Sequence, residues 1–252
     1  MKLITPKNFF TSVLAEAINK NELELFFVEA SLIGKELEYN TSAIGLIPSL
    51  DLINHRNLFV SSKYAVSFDG MLSNSFFYFH ENERRFEKIT LRGDVSLNDI
   101  ILTKILFSER FSSQAEITLD TGNAPTKGKD YLVVGDENYS SWDFKKGISF
   151  SDEVSDMLDF PYVNFVFVSP DQNSLNTFHE LIGQIDETIE DKIDTILPIL
   201  NLPDKAKSFI KENLDSLYYQ MTSNETEALN ELIRLLFYHG IIEDLFDVKF
   251  VY

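Results

Sequence analysis

Residues 65–79 read AVSFDGMLSNSFFYF and change character twice along their length. The stretch begins as a short apolar β-run, stops at Asp69-Gly70 and resumes as an aromatic strand at 76–79. Asp-Gly favours a turn because glycine accepts positive φ and aspartate can hydrogen-bond its own backbone. The simpler interpretation is the corner of a β-hairpin with solvated serines. The alternative is a crossing between two lobes, where polar groups at strand ends favour a ligand.

The chain is strongly acidic, with a formal net charge of −18 over 252 residues. Such a surface repels nucleic acid and anionic membranes, so we expect neither as a partner. The absence of cysteine excludes disulfides, thiol catalysis and zinc–thiolate sites. With 44% apolar residues, including 22 phenylalanines and 10 tyrosines, the chain can bury a core rich in aromatic rings.

The N-terminal residues MKLITPK carry no apolar core and no cleavage site of a secretory signal. No apolar run approaches the ~20 residues that a membrane-spanning helix needs. We therefore expect a cytoplasmic protein.

The first third of the chain alternates strands and helices. Strand patterns at 3–5, 23–28 and 43–47 alternate with helical patterns at 8–18 and 31–37. This order with short connections predicts an α/β sheet.

A second α/β unit begins near residue 85, with strands at 86–91, 115–119 and 131–134. The apolar run 163–168 can return the chain to the first unit. We therefore predict one lobe from residues 1–79 with 169–252 and another from 80–168. The crossing strands would lie near 76–79 and 163–168.

The last third is helical in pattern. An apolar stripe at helical spacing runs from Ser174 to Ile196, and a second follows Pro203 as far as Met221. Residues 222–225 read TSNE, which is a capping-box sequence and predicts a third helix ending at Gly240. The acidic faces of these helices are most simply solvated surface.

The usual catalytic motifs are absent. The sequence has no phosphate-binding GxxxxGK[ST], no GxGxxG after a strand, no HExxH and no GxSxG. The four histidines are scattered without ligand spacing, so we predict no metal site. What remains are the loops at strand ends, which contain Asn8, Ser49, Asp69, Gly70, Ser73, Asn74, Ser75, Ser96, Asn98, Asp99, Gly135 and Asp136.

Several blocks, in order, resemble the menaquinone-biosynthesis proteins of the futalosine route, whose first enzyme is chorismate dehydratase. Residues 66–70 (VSFDG) resemble that family's I-S-x-D-G segment, and residues 130–136 (DYLVVGD) resemble its D-x-x-L-I-G-D strand. Residues 158–163 (LDFPYV) resemble its T-G-L-P-F-V return strand, and residues 32–49 and 89–111 resemble its other helix and strand blocks. The resemblance covers nearly the whole chain. It implies the two-lobed α/β fold of type II periplasmic binding proteins, with a helical C-terminal segment.

The same resemblance implies a lyase that removes water from chorismate to give a carboxyvinyloxy-benzoate. No cofactor is implied, because loss of the hydroxyl makes the ring aromatic. Asn8 stands where the family has a catalytic asparagine. The position of the family's catalytic serine holds Asn74, so Ser73 or Ser75 would have to replace it.

The resemblance also suggests how a substrate would be bound. The family's S-R-T-S at a helix N-terminus can hold a substrate carboxylate, but the segment here reads Ser96-Leu97-Asn98-Asp99. An aspartate at that end competes with a bound anion. With Ser49, Asp69, Gly70, Gly135 and Asp136, these residues would form the substrate site.

Two other readings stay open. One is a cytoplasmic binding paralogue of the same fold, which closes on a small molecule between its lobes without converting it. The other is an interaction protein that uses its acidic helices. The sequence indicates no oligomeric state.

Overall fold

The structure is a computed structural model that describes residues 1–18, 23–80 and 87–252. The strands are β1 (Lys2–Thr5), β2 (Glu24–Phe27), β3 (Ile44–Pro48), β4 (Phe59–Phe68), β5 (Ser75–Tyr78), β6 (Lys88–Gly93), β7 (Glu116–Asp120), β8 (Tyr131–Val134), β9 (Ile148–Ser149), β10 (Tyr162–Ser169), β11 (Leu217–Gln220) and β12 (Lys249–Val251). The helices are α1 (Phe9–Ala17), α2 (Ile33–Tyr39), α3 (Leu97–Phe111), α4 (Glu137–Ser140), α5 (Phe150–Leu158), α6 (Gln172–Ile182), α7 (Ile185–Ile196), α8 (Asp204–Glu212) and α9 (Ser223–Tyr238). Short 3-10 turns at Ala30–Leu32 and Ser49–Ile53 follow β2 and β3.

The larger sheet has the strand order β11-β4-β10-β3-β1-β2, and β12 pairs with β4. Strands β1, β2 and β3 run parallel, whereas β10 is antiparallel to both β3 and β4. Every residue of β3 is buried, as expected for a parallel strand that is covered on both faces.

The smaller sheet has the order β7-β6-β8-β5-β9. Strand β6 is parallel to β7 and β8, and β5 is antiparallel to β8 and β9. The strand predicted at 86–91 begins at a residue outside the described ones and runs in the structure from Lys88 to Gly93.

The chain passes between the sheets through residues 69–74, and again between β9 and β10 through α5. The strands expected to make these crossings do not make them. Strand β5 pairs along its length with β8, and β10 lies between β3 and β4, so their backbone groups are used within one sheet. The lobe boundaries at 79/80 and 168/169 stay a prediction. The first crossing contains Gly70, whose φ of +129° a side chain would strain, and a Cβ there would lie 3.0 Å from the Cβ of Ser216.

The core is rich in aromatic rings, as expected. The largest fully buried side chains are all tyrosine or phenylalanine. Two apolar clusters each combine residues of both sheets: Phe76 packs in the cluster of Phe10 and Phe165, and Leu91 packs in the cluster of Ile4 and Ile47. The two sheets therefore share their apolar cores.

The C-terminal pattern is helical with two interruptions. The stripe from Ser174 to Ile196 breaks at Gly183, which has a φ of +60° and separates α6 from α7. The helix expected to run to Met221 ends at Glu212, and β11 follows on the edge of the larger sheet. Helix α9 begins with the predicted capping box, in which Thr222 and Glu225 exchange hydrogen bonds.

Candidate functional site

The candidate site lies where the turns that follow strands of the larger sheet meet the loops that follow strands of the smaller sheet. The parallel strands β1, β2 and β3 end on one side of a cleft, and the loops after β6 and β8 contact the turns that follow them. Ligands of open α/β sheets bind outside the carboxyl ends of parallel strands. The fold therefore brings two sets of such ends to one place.

We call the part of the chain built on the larger sheet the larger lobe and the part built on the smaller sheet the smaller lobe. Three backbone N–H groups of the larger lobe donate across this cleft to side chains of the smaller lobe. Phe9 N, in the first turn of α1, lies 2.8 Å from Oδ1 of Asp136, which follows β8. Ala30 N, which follows β2, lies 3.0 and 3.1 Å from the two carboxylate oxygens of Asp94. Leu50 N, which follows β3, lies 2.9 Å from Oδ1 of Asn98. Each donor at a first helical turn thus has an oxygen of the other lobe as its acceptor.

Asn98 is fully buried and uses its whole amide within the protein. Its Nδ2 donates to the carbonyl of Asn164 at 2.6 Å, to Oδ1 of Asn164 at 3.1 Å and to Oγ of Ser49 at 3.3 Å. Tyr162 also donates to Oδ1 of Asn164, at 3.1 Å, and burial raises the pKa of this tyrosine well above its usual value. Asn98 and Ser49, both expected to bind substrate, here join the lobes.

Asp99 turns inward and caps its own helix. Its Oδ2 accepts from the N–H of Ser96 at 2.9 Å and from the hydroxyl of Ser96 at 2.7 Å. Its Oδ1 accepts from the hydroxyl of Ser75 at 2.8 Å. Burial raises the pKa of the Asp99 carboxyl, and the hydrogen bonds from Ser96 and Ser75 oppose that rise. Asp99 is therefore the common acceptor of Ser96 and Ser75, and its two carboxylate oxygens have partners within the protein.

The serines after the first crossing are also buried. The Ser73 hydroxyl donates to the carbonyl of Ser75 at 2.6 Å and lies 2.8 Å from Oγ of Ser151. The carbonyl of Asn74 accepts from Gly135 N at 2.7 Å, which ties the crossing to the turn after β8. These contacts hold the crossing segment in place.

Asp69 and Gly70 are the first residues of the same crossing, directly after β4. Asp69 N donates to the carbonyl of Ser216 at 3.0 Å, and the carbonyl of Gly70 accepts from the Ser149 hydroxyl at 3.3 Å. Both predicted site residues thus contact the segment before β11 or the start of α5.

Asn8 is the N-cap of α1 and is only 3% exposed. Its Oδ1 accepts from Thr11 N at 3.0 Å, and its own N–H donates to the Thr11 hydroxyl at 3.2 Å. Its sequence neighbours Lys7 and Phe9 line a cavity, whereas Asn8 is not among the residues of the cavity wall.

The cavity has a volume of about 410 Å³ and takes its walls from both lobes. It is lined by Lys7, Phe9, Ser12, Asp136, Glu137, Ser140, Leu200, Asn201 and Leu202. Of the residues predicted from the sequence, only Asp136 lines it. The candidate residues Asn8, Asn74 and Asn98 are not among the described residues of this wall.

Electrostatically, the cavity pairs one cation with two acids. Burial raises the pKa of Asp136 to about 6, and the Phe9 N–H and the charge of Lys7 oppose that rise. The Glu137 carboxylate is bound to Arg92, whose Nε lies 2.7 and 3.0 Å from its two oxygens. Asp136 and Lys7 are thus the charges that a bound molecule would meet.

A second cavity, of about 380 Å³, lies against the Ala30–Asp94 contact and includes Glu29, Ser31 and Asp120 in its wall. Sequence reasoning missed Asp94 and Lys7. Their positions in the sequence could have identified both. Lys7 follows β1 and Asp94 follows β6, just as Asp136 follows β8.

Within the three described ranges, no group of three or more histidine, aspartate or glutamate side chains is arranged to hold a metal ion. A helix long and apolar enough to cross a bilayer is also not found among the described residues.

No protein-family model matches the chain, and a comparison with curated proteins found no match. Solved structures do match. An ABC transporter structure from Parabacteroides distasonis has a TM-score of 0.65 at 12% identity, covering 100% of this chain and 98% of that one. The CA3427 gene product of Candida albicans, which exhibits the generic periplasmic binding protein fold, has a TM-score of 0.60 at 11% identity, covering 99% and 92%.

The alkanesulfonate-binding protein SsuA of Xanthomonas axonopodis pv. citri, bound to MOPS, has a TM-score of 0.58 at 11% identity, covering 98% of this chain and 96% of that one. Identities this low show the fold alone. The chain has the α/β fold of periplasmic binding proteins, which confirms the predicted fold class.

Proposed function

We propose that the protein binds an uncharged or cationic small molecule between its lobes and does not convert it. The observation that carries this proposal is the cavity of about 410 Å³, which both lobes build at the carboxyl ends of parallel strands. Its volume lies within the ~300–1,000 Å³ typical of ligand pockets. Its wall combines the apolar side chains of Phe9, Leu200 and Leu202 with a few polar groups, which is the usual composition of such a site.

The charge of the site supports an uncharged or cationic ligand. Asp136 presents a carboxylate to the cavity, and the whole chain carries a net charge of −18. Lys7 is the single basic residue among the described residues of the wall, and its charge acts on Asp136. An anion entering this cavity would meet repulsion from Asp136 and from the surrounding field.

Two adjacent exposed serines allow a matched test. Ser140 lines the cavity, whereas Ser141 lies beside it in sequence, with its Oγ 3.4 Å from that of Ser140. Ser140→Trp fills the cavity, and Ser141→Trp adds the same bulk outside it. A thermal-shift screen of sugars, nucleosides, primary amines, amino acids and carboxylates identifies ligands of the wild type. We expect Ser140→Trp to abolish binding and Ser141→Trp to retain it; equal loss in both, or no ligand at all, contradicts the proposal.

Chorismate dehydration, which the resemblance implies, is the second candidate. The observation that favours it is Asn8, which keeps its place at the start of α1 beside Lys7 and the cavity wall. The hydroxyls of Ser73 and Ser75 are buried and hydrogen-bonded, so neither faces that cavity. Loss of chorismate in the presence of wild type, abolished in Asn8→Ala, would support the dehydratase. No product from wild type eliminates it.

The cytoplasmic location is part of the same proposal. It rests on the sequence alone, and fractionation of cells that express the full chain tests it.

A further inference from the structure

Asp94 and Asp136 have a feature in common that binding alone does not explain. Each belongs to the smaller lobe, and each carboxylate accepts from a backbone N–H at the start of a helical turn in the larger lobe. Phe9 N lies at the N-terminus of an α-helix that follows a parallel strand, which is a position where α/β folds hold the acidic groups of ligands, and Ala30 N opens a short 3-10 turn after the neighbouring strand β2. We propose that these two carboxylates occupy the positions at which the acidic groups of a ligand would bind. They thereby hold the two lobes together and exclude anions from the cleft, and we call the two contacts the clamp.

The contact at Asp136 pairs a carboxylate of one lobe with the positive N-terminus of a helix in the other. Helix α1 has no acidic residue in its first turn, so the partial positive charge of its N-terminus is not balanced locally. Lys7 adds a full positive charge next to it. Asp136 supplies the missing negative charge from the other lobe, at 2.8 Å from Phe9 N. An acidic ligand group at this point would have to displace it.

The contact at Asp94 is the weaker of the two. Ala30 N is shared between its two oxygens at 3.0 and 3.1 Å, and burial, together with the nearby charges of Asp99 and Glu29, raises the pKa of Asp94 to about 6. Both Asp94 contacts and the Asp136 contact span the cleft from the loops that follow β6 and β8. Opening the cleft therefore breaks charge-assisted hydrogen bonds on two loops at once.

Exclusion of anions follows from the same geometry. An anion gains nothing at a first-turn N–H that already has a carboxylate partner, and it is repelled by that carboxylate. Removing the carboxylate leaves a vacant position with the same donors. We therefore expect a small carboxylate from solution to bind, in an alanine variant, at the position that the aspartate carboxylate occupies in the wild type.

The absence of native cysteine allows the distance between lobes to be measured directly. Lys35→Cys in α2 and Asn123→Cys after β7 place one spin label on each lobe at exposed positions. Pulsed dipolar spectroscopy is then compared for the wild-type background, Asp94→Ala/Asp136→Ala, and Asp94→Asn/Asp136→Asn. Glu180→Ala, at an exposed acidic position of α6, is the control.

We expect the double alanine variant to show a longer and broader distribution of label distances. The asparagine variant keeps an acceptor oxygen at each position and retains most of the short distances, and the control is unchanged. Sodium acetate, compared with sodium chloride at equal ionic strength, restores the short distances in the alanine variant. An unchanged distribution in that variant, or no response to acetate, overturns the clamp.

Should the double variant fail to fold, Asp136→Ala alone is measured by thermal unfolding. We expect acetate to raise its midpoint temperature in a saturating way and to leave the wild type unaffected. Equal stabilisation of both by acetate refutes anion exclusion. This inference rests on the proposed function only in its statement about ligands. If the label distances change as expected but no ligand is found, the proposed function is refuted and the clamp is not. If a ligand binds and Ser140→Trp blocks it, but the label distances do not change, the clamp is refuted and the proposed function is not.

Discussion

Asn98→Ala tests whether the centre of the lobe interface is structural. In the wild type, this amide is the acceptor of Leu50 N at 2.9 Å and the donor to the Asn164 carbonyl at 2.6 Å. The substitution leaves both buried groups without that partner. Each unsatisfied buried group costs about 1–3 kcal/mol, so we expect a total loss of about 4 kcal/mol in the free energy of unfolding. For a chain of this size, that corresponds to a fall of about 10 °C in the midpoint temperature.

The measurement is chemical denaturation of the ligand-free protein. Asn176→Ala, at an exposed position of α6, is the matched control and should change the free energy by less than about 0.5 kcal/mol. Asn164→Ala provides a double-mutant cycle, in which the double variant loses less than the sum of the single variants. A loss below about 1 kcal/mol for Asn98→Ala, with an unchanged denaturant slope, refutes the structural role. It would favour the substrate-binding role expected from the sequence.

Three further predictions concern buried acids and the first crossing. Burial raises the pKa of Asp51 from 3.8 to about 7, so the folded state binds this proton more tightly than the unfolded state, and stability falls as the pH rises from about 4 to 7. Asp51→Asn should therefore be more stable than wild type at pH 8, by up to about 4 kcal/mol, with a difference that shrinks towards pH 4; a difference independent of pH contradicts this. Asp99→Ser removes the partner of the Ser96 N–H and the Ser75 hydroxyl, and thermal unfolding should show a loss of about 1–2 kcal/mol. Gly70→Ala forces a side chain into a φ of +129° beside Ser216 and should cost about 1–3 kcal/mol, whereas an unchanged midpoint would show that the turn relaxes.

Local patterns were sufficient wherever neighbouring residues determine the structure. The capping box at Thr222 marked the start of α9, because its hydrogen bonds join residues three apart. The apolar run at 43–47 marked a buried parallel strand, since only a strand covered on both faces is apolar at every position. The Asp69-Gly70 turn was likewise readable, because the positive φ belongs to Gly70 itself.

Local sequence patterns gave wrong predictions where pairing with a strand far away in the sequence determines the structure. Residues 217–220 continue the apolar spacing of the preceding helix, yet they form β11 because Leu217 pairs with Phe68 along the edge of β4 opposite β10. Strand β5 was expected to cross between lobes, and only its pairing with β8 shows that it does not. Propensity sets a preference of tenths of a kcal/mol per residue, which the pairing of a whole strand overrides.

Composition, periodicity and the order of motifs were enough to predict the fold class, the acidic surface and the set of strand-end loops in which any site must lie. It also pointed to Asp136, because that residue directly follows a buried strand. Which loop residues face the cavity and which face one another depends on contacts between distant segments of the chain, and these contacts are visible only in the folded protein. Asn98, Asp99 and Ser73 carry the same polar groups as a binding residue, but their partners Leu50, Ser75 and Ser151 come from other segments of the chain. Burial against those partners uses their hydrogen bonds within the protein, and no local pattern records a contact between segments so far apart in sequence.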